Sequence, residues 1–135
     1  MRTLLVSDLM STALLTVRPG DTIERAELDM KLAGIRHFPV VDGRGRLVGV
    51  VSDRDLLRAF GHVGAKQIKI ADVMTTDVCT VTEYMPAANA AATMLERRFD
   101  CLPVVGDDGR LVGLISASDF LAVAERMLSG GSAER

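Results

Sequence analysis

The chain has no tryptophan, one tyrosine and four phenylalanines among its 135 residues. Any core it builds must therefore be aliphatic, packed from Val, Leu, Ile, Ala and Met, and its seven methionines read as filler for that core. There are only two cysteines, Cys79 and Cys101, with no CxxC pair, and the two histidines, His37 and His62, do not complete a zinc pattern. Both thiols read as buried and free, which implies a reducing, cytoplasmic setting. No apolar run approaches the ~20 residues of a membrane helix. The opening MRTLLVSDLM lacks the long apolar stretch and small-residue cleavage site of a signal peptide. Basic runs are missing too, and a formal net charge of -2 offers a polyanion no global attraction. Neither a nucleic acid nor a membrane is expected as a partner.

What is present is a repeat. Displaced by 64 positions, residues 6–57 match residues 70–121 without a gap, and 18 of the 52 positions are identical, where average usage gives on the order of one in fifteen. The matches include Asp8/Asp72, Met10/Met74, Thr16/Thr80, Val17/Val81, Pro39-Val40-Val41/Pro103-Val104-Val105 and GRLVG at 45–49 and 109–113. The expected division is residues 1–60, a polar, glycine-bearing linker at 61–69, residues 70–128, and a frayed tail at 129–135.

Each copy reads as βαββα after a short lead-in around residues 6–10 and 70–74. Short β-prone runs lie at 14–17 and 78–81. Ile23, Ala26, Met30 and Ala33 then recur at helical spacing, as do Ala87, Ala90 and Met94. Asp21 with Glu24 is expected to close the start of the first helix, Pro86 to occupy the first turn of its counterpart, and Gly34 to stop the first. The β-branched runs 37–41 and 47–51 are joined by Asp42-Gly43-Arg44-Gly45, a hairpin signal. Their duplicates are joined by Gly106-Asp107-Asp108-Gly109. A last helix follows each hairpin, over about 52–60 and 116–128. These last helices open on GVVSDRDLL and GLISASDFL, a glycine, a serine three on and an aspartate three beyond. On its own, Ser-x-x-Asp before an apolar run is a capping-box pattern, in which the serine satisfies an orphan N–H and the acid complements the helix dipole.

A DxM lead-in, a Thr-Val strand, HFPVVD or CLPVVG, and LVGVVSDRDLL or LVGLISASDFL, duplicated at this spacing, resemble a tandem pair of CBS domains from residue 6 to about 125. The resemblance implies an α+β fold of two βαββα repeats packed as a pseudo-twofold pair. It also implies regulatory binding of adenosine-containing ligands (AMP, ADP, ATP or S-adenosylmethionine) in clefts between the repeats, and assembly into homodimers.

Carried over position by position, the resemblance puts the ribose on Asp55 and Asp119 and phosphate near Ser52 and Ser116, with Arg54 and Ser118 as neighbours. A carboxylate can accept both hydroxyls of a cis-diol, and a serine at a helix start stands beside free N–H groups that favour an anion. The motif glycine lets backbone approach a ligand closely. The adenine side corresponds to Thr16, Ile35 and Arg36 in one copy and to Thr80, Phe99 and Asp100 in the other. Phe99 is open to two roles, base stacking or core. Arg36 and His37 in the first copy stand against Asp100 and Cys101 in the second, which makes the first the better phosphate site.

Three classes of function follow. The leading one is a non-enzymatic adenine-nucleotide sensor that signals through repeat or dimer rearrangement, with no obligatory cofactor and an unidentified regulated protein. The alternatives are a dimerisation module with vestigial sites, or S-adenosylmethionine or NAD as the ligand. An enzyme is disfavoured: no nucleophile–base pair, metal cluster or paired carboxylate site is visible, and Asp53 and Asp55, two apart on a helix, do not face each other.

Overall fold

A helix forms where apolar positions recur every three to four residues and where something satisfies its first N–H groups, and both conditions hold here. The computed structural model describes residues 2–61 and 67–131. Residues 62–66 of the expected linker, His62 among them, and 132–135 of the expected tail lie outside the described residues. The elements are α1 (Val6–Leu9), α2 (Ile23–Ala33), β1 (His37–Val41), β2 (Leu47–Ser52), α3 (Asp53–Phe60), α4 (Ile70–Val73), β3 (Val81–Thr82), α5 (Ala87–Arg97), β4 (Cys101–Val105), β5 (Leu111–Ser116) and α6 (Ala117–Leu128).

Helix α2 buries Ile23, Ala26 and Met30, while Ala33, the last member of the expected stripe, is exposed. Its cap lies one residue later than expected. Thr22 accepts the N–H of Arg25 at 3.3 Å, whereas Asp21 is spent on the preceding turn, accepting the N–H of Arg18 at 2.8 Å. Gly34 ends the helix in the left-handed region at φ 69°, as expected. In α5, Pro86 sits at the N-cap, and the residue matching Gly34 is Arg98, held at φ 58°. A side chain there carries a Cβ penalty that glycine avoids. Arg98→Gly should therefore stabilise the chain by about 0.5–1 kcal/mol, read as a higher denaturation midpoint at unchanged slope.

Strands β1 and β2 pair antiparallel with His37 opposite Ser52, and β4 and β5 repeat this with Cys101 opposite Ser116. Asp42 closes the first hairpin by accepting the N–H groups of Arg44 at 2.8 Å and Arg46 at 3.0 Å, and Gly45 takes φ 80°. The N–H groups of Arg46 and then Arg44 hold the Asp42 carboxyl below its ordinary value. Its stabilising effect is therefore complete above that value and fades as pH falls through the lowered one. The first strands are shorter than expected. Val17 makes a single parallel bridge to Val40, and β3 pairs with β4 over two residues only. Val17 and Val81 reach into the cores, whereas Thr16 and Thr80 are exposed.

The chain divides into two compact units, Leu15–Val78 and Met1–Leu14 with Cys79–Arg135. Each holds one hairpin, two long helices and the lead-in helix of the other sequence repeat. The core of the first unit joins Val17, Ile23, Ala26, Met30, Phe38, Val40, Val51, Leu56 and Ala59 to Ile70 of α4. That of the second joins Val81, Ala87, Ala90, Met94, Leu102, Val104 and Ile115 to Val6 and Leu9 of α1. After each lead-in helix the chain runs along the hairpin edge. Thr75 and Val50 exchange backbone hydrogen bonds of 2.9 Å each, and Ser11 and Leu114 exchange bonds of 2.8 and 3.0 Å.

This contact explains two pairs of matched residues at once. A Cβ on Gly49 would lie 2.8 Å from Met74 Sδ and 2.9 Å from the Thr75 carbonyl oxygen. On Gly113 it would lie 2.6 Å from Met10 Sδ and 3.0 Å from the Ser11 carbonyl oxygen. The repeated methionine occupies the space the repeated glycine leaves. The motif glycine therefore admits a neighbouring segment of the same unit, where the sequence had suggested close approach to a ligand.

Candidate ligand-binding site

In the Leu15–Val78 unit the antiparallel hairpin brings the start of β1 to the end of β2. His37 stands opposite Ser52, and the Asp53 N–H donates to the Arg36 carbonyl at 2.9 Å. The bridge from Val17 to Val40 runs parallel to β1, so Thr16 approaches from the same end of the sheet. Thr16, Ile35, Arg36, His37, Ser52, Arg54 and Asp55 are thus gathered at one end of one unit. In the other unit Cys101 stands opposite Ser116, the Ala117 N–H donates to the Asp100 carbonyl at 2.9 Å, and β3 follows Thr80. Thr80, Phe99, Asp100, Ser116, Ser118 and Asp119 are gathered there in the same way.

The helix starts are closed capping boxes, as the local pattern suggests. Ser52 Oγ accepts the Asp55 N–H at 3.2 Å while Asp55 Oδ2 accepts the Ser52 N–H at 2.9 Å. In the second unit Ser116 Oγ accepts the Asp119 N–H at 3.4 Å, and Asp119 Oδ2 accepts the Ser116 N–H at 2.8 Å and its hydroxyl at 3.1 Å. Capping consumes only part of each carboxylate's acceptor capacity, because a carboxylate has about four lone-pair positions.

The two copies differ in what surrounds the carboxylate. Asp55 Oδ1 accepts from Arg58 at 2.6 Å, the arginine largely exposed and the carboxylate only 12% exposed. Arg58 was not among the sequence candidates, although its position three residues after Asp55 on a helix is a readable signal. Arg36 and Arg54 are exposed, and their guanidinium groups make no hydrogen bond or ion pair among the described residues. In the second copy burial pushes the Cys101 thiol up to about 11, with the charges of Asp100 and Asp119 adding to the shift. Cys101 therefore stays protonated at neutral pH, and both carboxylates act on the same thiol. Cys79 and Cys101 are free and half-buried, less enclosed than expected.

Of the adenine-side candidates, Ile35 is half-buried against its unit's core, and Thr16 lines an open groove of about 340 Å³ with Leu15, Asp29, Leu32, Ala33 and Phe38. Phe99 lies outside the buried core, 38% exposed, with the Arg97 guanidinium 5.2 Å from its ring centroid. Among the described residues no group of three or more His, Cys, Asp or Glu side chains is placed to hold a metal ion, and no helix is long and apolar enough to cross a membrane.

The family model for the CBS domain matches twice, at residues 6–62 and 70–126. The chain is a tandem pair of CBS domains. Among solved structures, this CBS pair is similar to a Vibrio cholerae protein assigned to acetoin utilization (AcuB). The two are 35% identical with a TM-score of 0.87, over 95% of each chain. It is also similar to CBSX2 of Arabidopsis thaliana in complex with AMP, with 30% identity, a TM-score of 0.83, and coverage of 92% of this chain and 98% of that one. A third is the CBS domain pair of MJ0100 in complex with 5′-methylthioadenosine and S-adenosyl-L-methionine, with 29% identity, a TM-score of 0.79, and coverage of 96% and 98%. Curated relatives include the homoserine O-acetyltransferase of Methanococcoides burtonii, 36% identical over 85% of this CBS pair, which spans only 23% of that enzyme's length.

Proposed function

We propose that this CBS pair is a regulatory module, without catalysis of its own, that binds adenosine-containing ligands at the helix starts Ser52–Asp55 and Ser116–Asp119. The observation that carries this reading is the convergence in each unit of a serine, a carboxylate that is partly buried and the start of the first hairpin strand at a helix N-terminus, where anions are favoured. The AMP held by CBSX2 and the 5′-methylthioadenosine and S-adenosyl-L-methionine held by MJ0100 give the ligand class. Asp55 and Asp119 take the ribose hydroxyls, Ser52 and Ser116 the phosphate side, and Thr16, Ile35, Thr80 and Phe99 the base. The ligand regulates by binding two arrangements of the protein with different affinity, since it can shift an equilibrium by no more than that difference. A cytoplasmic setting, in which both cysteines remain thiols, belongs to the same reading.

A second role in assembly is favoured by exposed leucines on the long helices. Leu28, Leu32 and Leu57 stand out on one unit, and Leu95, Leu121 and Leu128 on the other. Leu57 and Leu121 occupy the same place in the two repeats. A second copy of the chain covers them in this reading, and sedimentation equilibrium should then return twice the 14.5 kDa chain mass.

Calorimetric titration with AMP, ADP and ATP from micromolar to millimolar concentration separates the two roles. Saturable heat is expected of the sensor. A dimer without it is a dimerisation module with vestigial sites.

A further inference from the structure

We infer that Met10 and Met74 are a matched pair of modification sites: a peroxide converts each to its sulfoxide and so unseats the lead-in segment from the hairpin edge, and reduction of the sulfoxide seats it again.

The methionines of the chain differ in setting. Met30 and Met94 face the cores from α2 and α5 and are only 5% and 6% exposed, whereas Met127, near the end of α6, is 52% exposed. Met10 and Met74 are half-buried, neither sealed like the first two nor free like the last. Each follows directly on a lead-in helix and lays its thioether on a glycine of the second hairpin strand. Met10 Sδ lies 2.6 Å and its Cγ 3.1 Å from the place a Gly113 Cβ would take, and Met74 Sδ lies 2.8 Å and its Cγ 3.1 Å from that of Gly49. The sulfur fills the space of a missing side chain in both units, and the two methionines are 64 residues apart, as are the two glycines.

A thioether suits this seat because it is apolar and polarizable, and a sulfoxide does not. The added oxygen is a hydrogen-bond acceptor, and the seat already holds one: the carbonyl oxygens of Ser11 and Thr75 stand 3.0 and 2.9 Å from the same two Cβ positions. The nearby N–H groups are all donating. Those of Ser11 and Leu114 bond each other's carbonyls, as do those of Val50 and Thr75, while Met10 donates to Val6 and Met74 to Ile70. A buried acceptor without a donor is costly, so the sulfoxide turns out to water and leaves the glycine uncovered. What then holds the segment is one reciprocal backbone pair and a helix of four residues, far below the length at which a helix persists by itself. The lead-in opens locally while the rest of the unit stays folded. It is also the part of each sequence repeat that packs in the other repeat's unit, since Met1–Leu14 groups with Cys79–Arg135 and α4 with the remainder of Leu15–Val78.

In the oxidation the sulfur lone pair attacks one oxygen of the peroxide, and the S–O bond forms as the O–O bond breaks. The transferred hydroxyl gives its proton to the departing hydroxide, which becomes water. Sulfur loses two electrons and the peroxide gains them. A dithiol reverses the change, ending as a disulfide while the oxygen leaves as water, the chemistry that methionine sulfoxide reductases catalyse.

The test treats the full chain with hydrogen peroxide, reads every methionine by peptide mass spectrometry, and follows amide hydrogen exchange and the melting midpoint on the same samples. Met127 should oxidise first and change neither. Met10 and Met74 should follow, well before Met30 and Met94. As they do, the Ser11, Val50, Thr75 and Leu114 amides should exchange about tenfold faster or more, and the midpoint should fall by roughly 3–6 °C. Methionine sulfoxide reductase with dithiothreitol should reverse both changes. Met10→Leu/Met74→Leu, a volume-conserving exchange that keeps the seats filled, should hold its midpoint through the same treatment. Sulfoxide at both positions with the four amides exchanging at their original rates would overturn the assignment. So would Met10 and Met74 staying reduced until Met30 and Met94 react, or a double variant that loses as much to peroxide as the unaltered chain. Amide exchange is read on the unaltered chain, so it decides the matter even where the double variant fails to fold.

Discussion

Gly113→Ala and Gly49→Ala should each lower the stability of the chain by about 2–3 kcal/mol. In each case the added methyl group points at a backbone carbonyl oxygen and at a methionine sulfur, at 3.0 and 2.6 Å for Gly113 and 2.9 and 2.8 Å for Gly49. A methionine side chain can turn away, but the carbonyl belongs to a reciprocal backbone pair that closes the hairpin edge, and moving it breaks two hydrogen bonds. The expected drop in melting temperature is roughly 5–10 °C for a chain of this size. Gly20→Ala is the control. Nothing lies within 4 Å of its Cβ position and its φ is not positive, so that substitution should be neutral or slightly stabilising. A Gly113→Ala protein as stable as the unaltered chain would mean that the lead-in segment does not pack where it is described.

Asp55→Ala should cost about 1.5–3 kcal/mol in adenosine-ligand affinity at the first copy, about 10- to 100-fold. That side chain also caps α3 and pairs with Arg58, so the same substitution should lower stability by about 1 kcal/mol. Asp55→Asn separates the two roles. An amide oxygen can still accept the Ser52 N–H and keep the cap, but the amide nitrogen, a donor, accepts neither the Arg58 N–H nor a ribose hydroxyl, so only the cap is preserved. Affinity that falls in both variants while stability falls mainly in Asp55→Ala identifies the carboxylate as a ligand group. Affinity unchanged in both would leave Asp55 a cap alone. Calorimetry and chemical denaturation on the same preparations give the two readings.

These two expectations draw on different levels of the sequence. The helices, the hairpins and their turns were legible because they rest on local chemistry: the spacing of Ile23, Ala26 and Met30, the Asp42 and Gly45 turn, Gly34 at a helix end. The gathering of Arg36 and His37 beside Ser52 and Asp55 was legible as well, but only through the ungapped repeat and its family likeness. Three things escaped. Self-comparison reveals which segments recur, not which copy each one packs on, so the seating of Met10 against Gly113 and of Met74 against Gly49 could not be read from it. The first strands are shorter than the β-prone runs: pairing begins only at Val17 and Val81, whose side chains reach a core, and Thr16 and Thr80 before them stay at the surface. Arg58 was passed over because an arginine three residues after an aspartate is ordinary on a solvated helix. It matters here because that aspartate is nearly enclosed.

Asp100 marks where the repeat carries most information by failing to repeat. Identity between the copies points to what both units need in order to fold, such as the capping boxes and the glycine contacts. The differences at 36 and 100, 54 and 118, and 58 and 122 fall where the two units share the same backbone setting.

A crystal structure of the chain grown with AMP tests the central claim most directly. The account predicts ribose hydroxyl oxygens within about 2.5–3.0 Å of the Asp55 carboxylate, with the phosphate toward Ser52 and the Arg36 and Arg54 guanidinium groups. AMP seated away from both Asp55 and Asp119, or held with its ribose turned from both carboxylates, would contradict it.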